Sequence, residues 1–292
     1  MARVIRCPVL VRTAVAAAAA LLVTACSAGA GPDAPQGPST AAVSTARVSH
    51  TLPDDPVRMV LPATGAETRW TQGLYVFGQQ VTRAAAAECA REGGFALPEE
   101  IPLAFIRYFE LPDLDFIRRH GLRASAEIPG PAPAAGTART GTAAEVRRCR
   151  AQGTAAADAL RGTYAELQGR WFSELVSLRQ DPGTMRARRA LPGCLAGQGV
   201  QARDEQTFMA VAQTREHRAA PADLARTEQE LGRVYADCMR PVEAVRDPVR
   251  LRARAHFVTE NAAEVRALRT ALLPAVHRAE RRYGLRMVFP TP

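Results

Sequence analysis

Residues 248–283, PVRLRARAHFVTENAAEVRALRTALLPAVHRAERRY, form the longest helical pattern in this 292-residue sequence. Apolar side chains recur along it every seven residues, and two more widen the stripe: Leu251, Val258, Val265, Leu272 and Ala279, with Leu268 and Val276. The other positions are rich in Arg and Glu, so the pattern predicts one long helix with a single apolar face. Pro274 lacks a backbone donor and is expected to kink or divide this helix.

The apolar face of this helix has two possible partners. A coiled coil with a second chain needs an unbroken apolar seam, and Arg254, Asn261 and Arg269 intrude near it. The sequence therefore favours a helix that packs on its own domain, with the coiled coil as the alternative.

Helical patterns cover most of the chain upstream, from about Glu67. Asp113 can cap a helix, and the glycines at Gly93, Gly94 and Gly121 are of the kind that follow a last helical turn. The predicted helices span residues 79–92, 111–121, 143–150, 155–179, 185–196, 204–218 and 223–239. Residues 73–78 predict either a short strand or a buried extended loop. The sequence thus predicts a mainly α, bundle-like helical domain. Residues 129–141 predict an exposed loop and a possible internal boundary.

The composition excludes several chemistries. All 38 basic residues are arginine, and the chain has no lysine, which rules out Schiff-base, Walker A and Ser-x-x-Lys centres. The four histidines of the helical region are expected at surface or capping positions: His120, His217, His256 and His277. No catalytic constellation, metal site or cofactor motif is recognisable, so we expect a protein that is not an enzyme and has no cofactor. A carboxylate pair brought together only by the fold remains open.

The N-terminus has the features of an export signal. Arg3, Arg6 and Arg12 form a positive segment, and residues 14–23 are an apolar run of ten, too short to span a bilayer. Residues 23–26, Val-Thr-Ala-Cys, resemble the lipobox of bacterial lipoproteins. The resemblance implies a signal peptide over residues 1–25, a diacylglyceryl lipid on Cys26, and anchoring to the outer face of the cytoplasmic membrane. The alternative is an ordinary secretory signal with an incidental Cys26.

A polar segment follows the signal. Residues 26–60 are rich in Pro, Gly, Ser and Ala and contain little that is large and apolar. Such a segment cannot bury enough surface to offset its ordering entropy, so it predicts a disordered tether. The helical domain is then expected over residues 61–292.

Four cysteines remain after the signal and the lipidation position: Cys89, Cys149, Cys194 and Cys238. An even number outside the cytoplasm predicts two disulfides, for which three pairings are possible. We favour Cys89–Cys149 with Cys194–Cys238, because each pair would join two segments within one half of the chain. A zinc site is the alternative, but no Cys-x-x-Cys spacing supports it.

Clustered arginines are the remaining candidates for a binding function. The candidates for contact with anions are Arg147, Arg148 and Arg150 in one cluster and Arg186, Arg188 and Arg189 in another, and further clusters lie at residues 250–254 and 281–282. Arginine binds carboxylates and phosphates through its forked donors. The membrane, an anionic wall polymer or another envelope protein is the expected partner, and nucleic acid is not. The alternative is a solvated helix face neutralised by neighbouring acids.

Several local motifs resemble those of secreted actinobacterial lipoproteins of unknown function. They are a helix ending in Cys89 before Gly94-Phe95, then Arg107-Tyr108, Gly193-Cys194 and Tyr235-x-x-Cys238-Met239. The chain departs from the pattern at Pro241, and the resemblance implies no catalytic residue. These features together predict a non-enzymatic binding or accessory protein of the cell envelope. The alternatives are a solute-binding lipoprotein of a transporter or, third, a cell-wall hydrolase.

Overall fold

The computed structural model describes residues 46–98, 101–108, 110–123, 126, 128 and 139–291, all within one compact unit, Ser39–Pro292. The α-helices are α1 (Val57–Val60), α2 (Gly65–Glu92), α3 (Leu114–His120), α4 (Ala143–Arg161), α5 (Ala165–Ser177), α6 (Pro182–Arg188), α7 (Leu191–Gly197), α8 (Glu205–Arg218), α9 (Leu224–Glu260) and α10 (Ala262–Tyr283). The strands are β1 (Val48–Ser49), β2 (Phe95–Ala96), β3 (Arg139–Thr140) and β4 (Phe289–Pro290), and 3-10 turns cover Leu178–Gln180 and Pro221–Asp223. The predicted mainly α, bundle-like fold is confirmed.

The pair α2 and α4 forms one side of the bundle. A disulfide joins Cys89 to Cys149, and further along the two helices Gly153 lies against Thr82, so the helices run antiparallel. A Cβ atom on Gly153 would stand 2.2 Å from the Thr82 carbonyl oxygen, so only glycine permits this approach.

The two largest of the four hydrophobic clusters among the described residues form the main cores of the fold. The first is enclosed by α1, α2, α4, α5, the end of α9, α10 and the C-terminal segment, with Trp171 fully buried at its centre. The Trp171 indole N–H donates to the Pro62 carbonyl at 2.8 Å, which satisfies its one polar group. The second core is enclosed by α3, α7, α8 and the first half of α9, where Phe208 and Tyr235 stack with ring centroids 5.3 Å apart.

The second disulfide, Cys194–Cys238, ties α7 to α9 beside the second core. Both disulfides therefore have the pairing that the sequence favoured, and each one joins two helices that already pack together. The prediction of two disulfides is confirmed.

The longest helix differs from its prediction. α9 and α10 are separated at Asn261, not at Pro274, and α9 continues through Pro241 and Pro248. All three prolines are exposed, so the carbonyls that lose a partner can bind water. At the break, the Asn261 side-chain amide donates to the Phe257 carbonyl at 2.8 Å. The apolar stripe of α10 packs on its own domain, as favoured: Val265, Leu268, Leu272 and Val276 are buried.

Three boundary predictions are wrong. Residues 73–78 belong to α2, and Gly73 lies directly against Phe289 of the C-terminal segment. The tether does not extend to residue 60, because residues 46–60 contain β1 and α1 and bury Met59 and Val60 completely. Residues 129–141 do not separate two domains, because β2 pairs with β3 and a disulfide joins the helices on either side. Residues 1–45 and 129–138, with the signal and Cys26, lie outside the described part of the chain.

The two ends of the described chain lie side by side. β1 pairs with β4 in antiparallel register, with Val48 opposite Pro290 and Ser49 opposite Phe289. No helix in the described ranges combines the length and the apolar character that crossing a bilayer requires.

Candidate ligand-binding cleft

A cleft of about 580 Å³ opens where the N-terminal end of α8 meets the ends of α5 and α6. Its charged lining consists of Glu110, Arg179, Arg188, Arg203, Asp204 and Glu205, and Leu191 and Met209 supply apolar surface. The volume lies within the range of small-ligand sites. Pro182 begins α6 behind its Asp181 cap, and Asp204 caps α8 by accepting from the Thr207 N–H at 2.7 Å. These caps fix the helix ends that form the cleft.

Glu205 is the most strongly held acid of the cleft. It accepts from the Tyr235 hydroxyl at 2.7 Å, from Arg246 at 3.1 Å and from Arg188 at 3.2 Å. Burial raises the pKa of its carboxyl above the ordinary value, against the opposing effect of the tyrosine hydrogen bond and the arginines. Glu205 thus connects the cleft wall to the buried side of α9.

Glu110 forms the opposite wall. Both of its carboxylate oxygens accept from Arg179, in a forked pair. Its backbone carbonyl accepts from Arg250 of α9. Glu110 therefore binds Arg179 of the cleft through its side chain and Arg250 of α9 through its backbone carbonyl.

A buried ionic cluster on α9 contacts Glu205 and Glu110 of the cleft wall. Glu243, Arg246 and Arg250 lie on one helix face, each about 6% exposed. Glu243 accepts from Arg246 at 2.6 Å and also from Arg250, which contacts Asp247 at 3.2 Å. Burial raises the pKa of Glu243 to about 7, although Arg250 favours its charged form. We refer to these three residues as the α9 charge cluster.

The cleft retains unused arginine donors, whereas its carboxylates are already paired. Every carboxylate oxygen of Glu110, Asp204 and Glu205 already has a protein donor or cation beside it. Each guanidinium carries five N–H donors, and only part of this set is used. The buried Nε of Arg188 has no acceptor among the described residues, and Arg203 is 87% exposed with only Asp204 nearby, at 3.4 Å. The cleft therefore offers donors, which suit a carboxylate or phosphate group.

The six arginines predicted to contact anions divide between the cleft and the open surface. Arg188 lines the cleft, whereas Arg186 and Arg189 lie exposed on and just after α6. Arg147, Arg148 and Arg150 are exposed on α4, with no ion pair or side-chain hydrogen bond to any described residue. α4 packs against α2, and α6 packs against α9, so the fold assigns the two clusters to different places.

The predicted cluster at residues 250–254 is not a surface patch. Arg250 belongs to the α9 charge cluster, and Arg254 pairs with the buried carboxylate of Glu67. Glu67 also accepts from Arg58 at 2.7 Å and from the Ala63 N–H at 2.7 Å, which tethers α1 to α9. Arg281 and Arg282, in contrast, are exposed at the end of α10.

The four histidines hold local positions. His217 Nδ1 lies 2.7 Å from the Gln213 carbonyl, His256 lies 3.1 Å from Glu260, and His277 lies 3.0 Å from Glu280, all within one helical turn. His120 ends α3, as expected, and burial lowers its pKa. Within the described ranges, no group of three or more His, Cys, Asp or Glu side chains could hold a metal ion.

A second opening, of about 430 Å³, lies on the other side of Met209. Its charges compensate one another: Arg123 lies 2.6 Å from Glu216, and the half-buried Arg107 interacts electrostatically with Glu216 and Glu228. Burial raises the pKa of both carboxyls. The cleft at Glu205 is therefore the better candidate site.

Sequence reasoning missed most of this cleft. Glu110, Arg179 and Arg203 are isolated in the sequence, and only the fold brings them together. One signal was present: Glu243, Arg246 and Arg250 are spaced by three and four residues, which places them on one helix face.

Comparisons of the chain with protein-family models, with curated proteins and with solved structures find no match.

Proposed function

We propose that this protein is a non-enzymatic lipoprotein of the cell envelope, anchored outside the cytoplasmic membrane through Cys26, which binds an anionic group of another envelope component in the cleft. The observation that carries the proposal is the excess of unused arginine donors in a cleft whose carboxylates are already paired. Arg188 and Arg203 are the residues we expect to contact the anion.

Three features support binding at this place. The cleft volume suits a headgroup or a short polymer segment. A forked guanidinium recognises the planar or tetrahedral oxygens of carboxylate and phosphate. Glu110 holds Arg179 and Glu205 holds Arg188, and Arg250 and Arg246 of the α9 charge cluster contact these two acids in turn, so less side-chain entropy is lost at Arg179 and Arg188 when a ligand binds.

The alternative of a solute-binding lipoprotein receives less support. That class requires strands alternating with helices, and the four strands in the described part of the chain have two residues each. The observed helical fold fits an accessory or adhesive role better.

The test is binding of inorganic phosphate and of glycerol phosphate oligomers to the full chain, followed by calorimetry. Arg188→Gln with Arg203→Gln should weaken binding by about tenfold or more, because hydrogen bonds to charged groups contribute roughly 1.5–3 kcal/mol each. The matched control is Arg147→Gln with Arg148→Gln, which removes the same charge from the exposed face of α4.

Equal weakening by both variants would mean that the net charge of the protein, and not the cleft, determines binding. Absence of binding by the unchanged protein would overturn the proposal. The anchor is tested in cells with Cys26→Ala, which should deplete the protein from the membrane fraction. Unchanged signal processing together with unchanged membrane retention in high salt would contradict the anchor without affecting the calorimetry.

A further inference from the structure

The described chain begins on a basic face. Arg47, the second described residue, is exposed, and its carbonyl accepts from the Thr291 N–H at 2.9 Å and from the Thr291 hydroxyl at 2.8 Å. His50 Nδ1 lies 2.8 Å from the Met287 carbonyl. The C-terminal segment therefore holds the N-terminal end of the domain against the end of α10.

Four more exposed arginines lie at this end: Arg278, Arg281 and Arg282 on the last turns of α10, and Arg286 after it. Gly284, with a φ of 65°, turns the chain back so that the Leu285 N–H reaches the Glu280 carbonyl at 3.1 Å. This turn keeps Arg286 beside the end of the helix. We call the five residues Arg47, Arg278, Arg281, Arg282 and Arg286 the terminal basic face.

The acids nearby neutralise little of this charge. Glu280 is occupied by the Met287 N–H at 2.9 Å and by His277. Glu88 lies 3.5 Å from Arg282, and Glu92 acts on the same arginine. The other four arginines have no ion pair with any described residue. Five positive charges therefore face three carboxylates, and the excess lies on the solvent side.

The short sequence distance between Cys26 and the domain favours the membrane as the partner of this face. Nineteen residues separate Cys26 from Ala46, and a chain of that length reaches at most about 70 Å when extended. A lipid on Cys26 would keep the face at which the chain enters the domain near the bilayer. A diacylglyceryl group would hold the protein at the membrane without fixing the orientation of the domain, and a cluster of arginines beside an anionic surface adds about 1 kcal/mol of attraction for each residue.

We propose that the terminal basic face docks on anionic phospholipid headgroups and provides the second membrane contact beside the lipid anchor. The inference rests on the proposed attachment at Cys26 for placing the domain at the membrane. The electrostatic contact between the arginines and the headgroups needs no lipid on the protein. Docking would fix the orientation of the domain on the bilayer.

The experiment measures sedimentation of the full chain carrying Cys26→Ala with phosphatidylcholine vesicles, with and without phosphatidylglycerol. Neutral vesicles report any binding by the apolar residues 14–23, which all variants share. Arg278→Gln, Arg281→Gln and Arg286→Gln together should lower the partition coefficient on anionic vesicles by on the order of tenfold to a hundredfold, since each arginine near a charged surface contributes about fivefold. High salt should remove the difference.

The matched control is Arg186→Gln, Arg189→Gln and Arg218→Gln, three exposed arginines without ion pairs to described residues, on or beside α6 and α8. These helices pack against α9 in the other part of the fold. Equal loss in both triple variants, or no loss in the first, would overturn the proposed face. Because Cys26 is absent from every variant, neither result depends on the anchor, and the phosphate titration tests the cleft separately.

Discussion

Glu243 is a carboxylate placed almost entirely out of water, between Arg246 and Arg250 of the same helix. Burial raises its pKa to about 7, whereas an unfolded chain releases this proton near the ordinary glutamate value of about 4.3. The native state therefore binds more protons than the unfolded state between these two values, and its stability falls as the pH rises through this window.

Glu243→Gln should abolish this component of the pH dependence. Between about pH 4.5 and pH 7, the unfolding free energy of the unchanged protein should fall relative to that of the variant by roughly 1–3 kcal/mol. Urea titrations at a series of pH values measure the difference. Glu264→Gln is the control, because Glu264 lies exposed on α10. Parallel curves for the Glu243 variant and the unchanged protein would show that the carboxylate stays charged throughout.

The two disulfides act at the scale of the helix pair. Each joins two helices that already pack, across 60 residues for Cys89–Cys149 and 44 residues for Cys194–Cys238. The entropy that a crosslink removes from the unfolded chain grows only with the logarithm of loop length, so the two should stabilise almost equally.

Replacing either pair of cysteines by alanine should therefore lower the unfolding free energy by about 2–4 kcal/mol. The two double variants should differ from one another by less than about 1 kcal/mol. Urea titration without reductant measures both, and alkylation with intact mass confirms that the other disulfide persists. A large difference between the variants would mean that one disulfide acts through strain or packing and not through the unfolded chain.

Local chemistry predicted some elements well, and long-range packing decided the others. Asp113 and Gly121 bound α3 as expected, because a cap and a left-handed glycine act within one turn. The local sequence at Gly73 does not reveal its role, because the side chain that excludes a Cβ atom there is Phe289, more than two hundred residues away. The same applies to the cleft: Arg188 belonged to a visible cluster, but its neighbours Glu110 and Arg179 come from separate parts of the chain.

At the scale of the whole molecule, α9 is the connection between the two cores. Its first half buries Leu231, Tyr235 and Met239 in the second core, and its end buries Phe257 in the first. The α9 charge cluster lies between these halves, and Arg250 reaches the Glu110 carbonyl from there. One continuous helix contributes to both cores. Unfolding of either core should therefore expose the α9 charge cluster and destabilise the remaining core.

The two cores should therefore unfold together, and the tryptophans allow a direct test. Both Trp70 and Trp171 belong to the first core, so their fluorescence does not report on the second core itself. Phe208 is fully buried in the second core, and Phe208→Ala should cost about 3–5 kcal/mol. In urea, the fluorescence midpoint should shift as far as the midpoint measured by circular dichroism, as a single cooperative transition requires.

The control is Phe77→Ala in the first core, which should move both signals to a similar extent. If Phe208→Ala moves the circular dichroism curve and leaves the fluorescence unchanged, the α9 charge cluster is a flexible junction and the two cores fold independently.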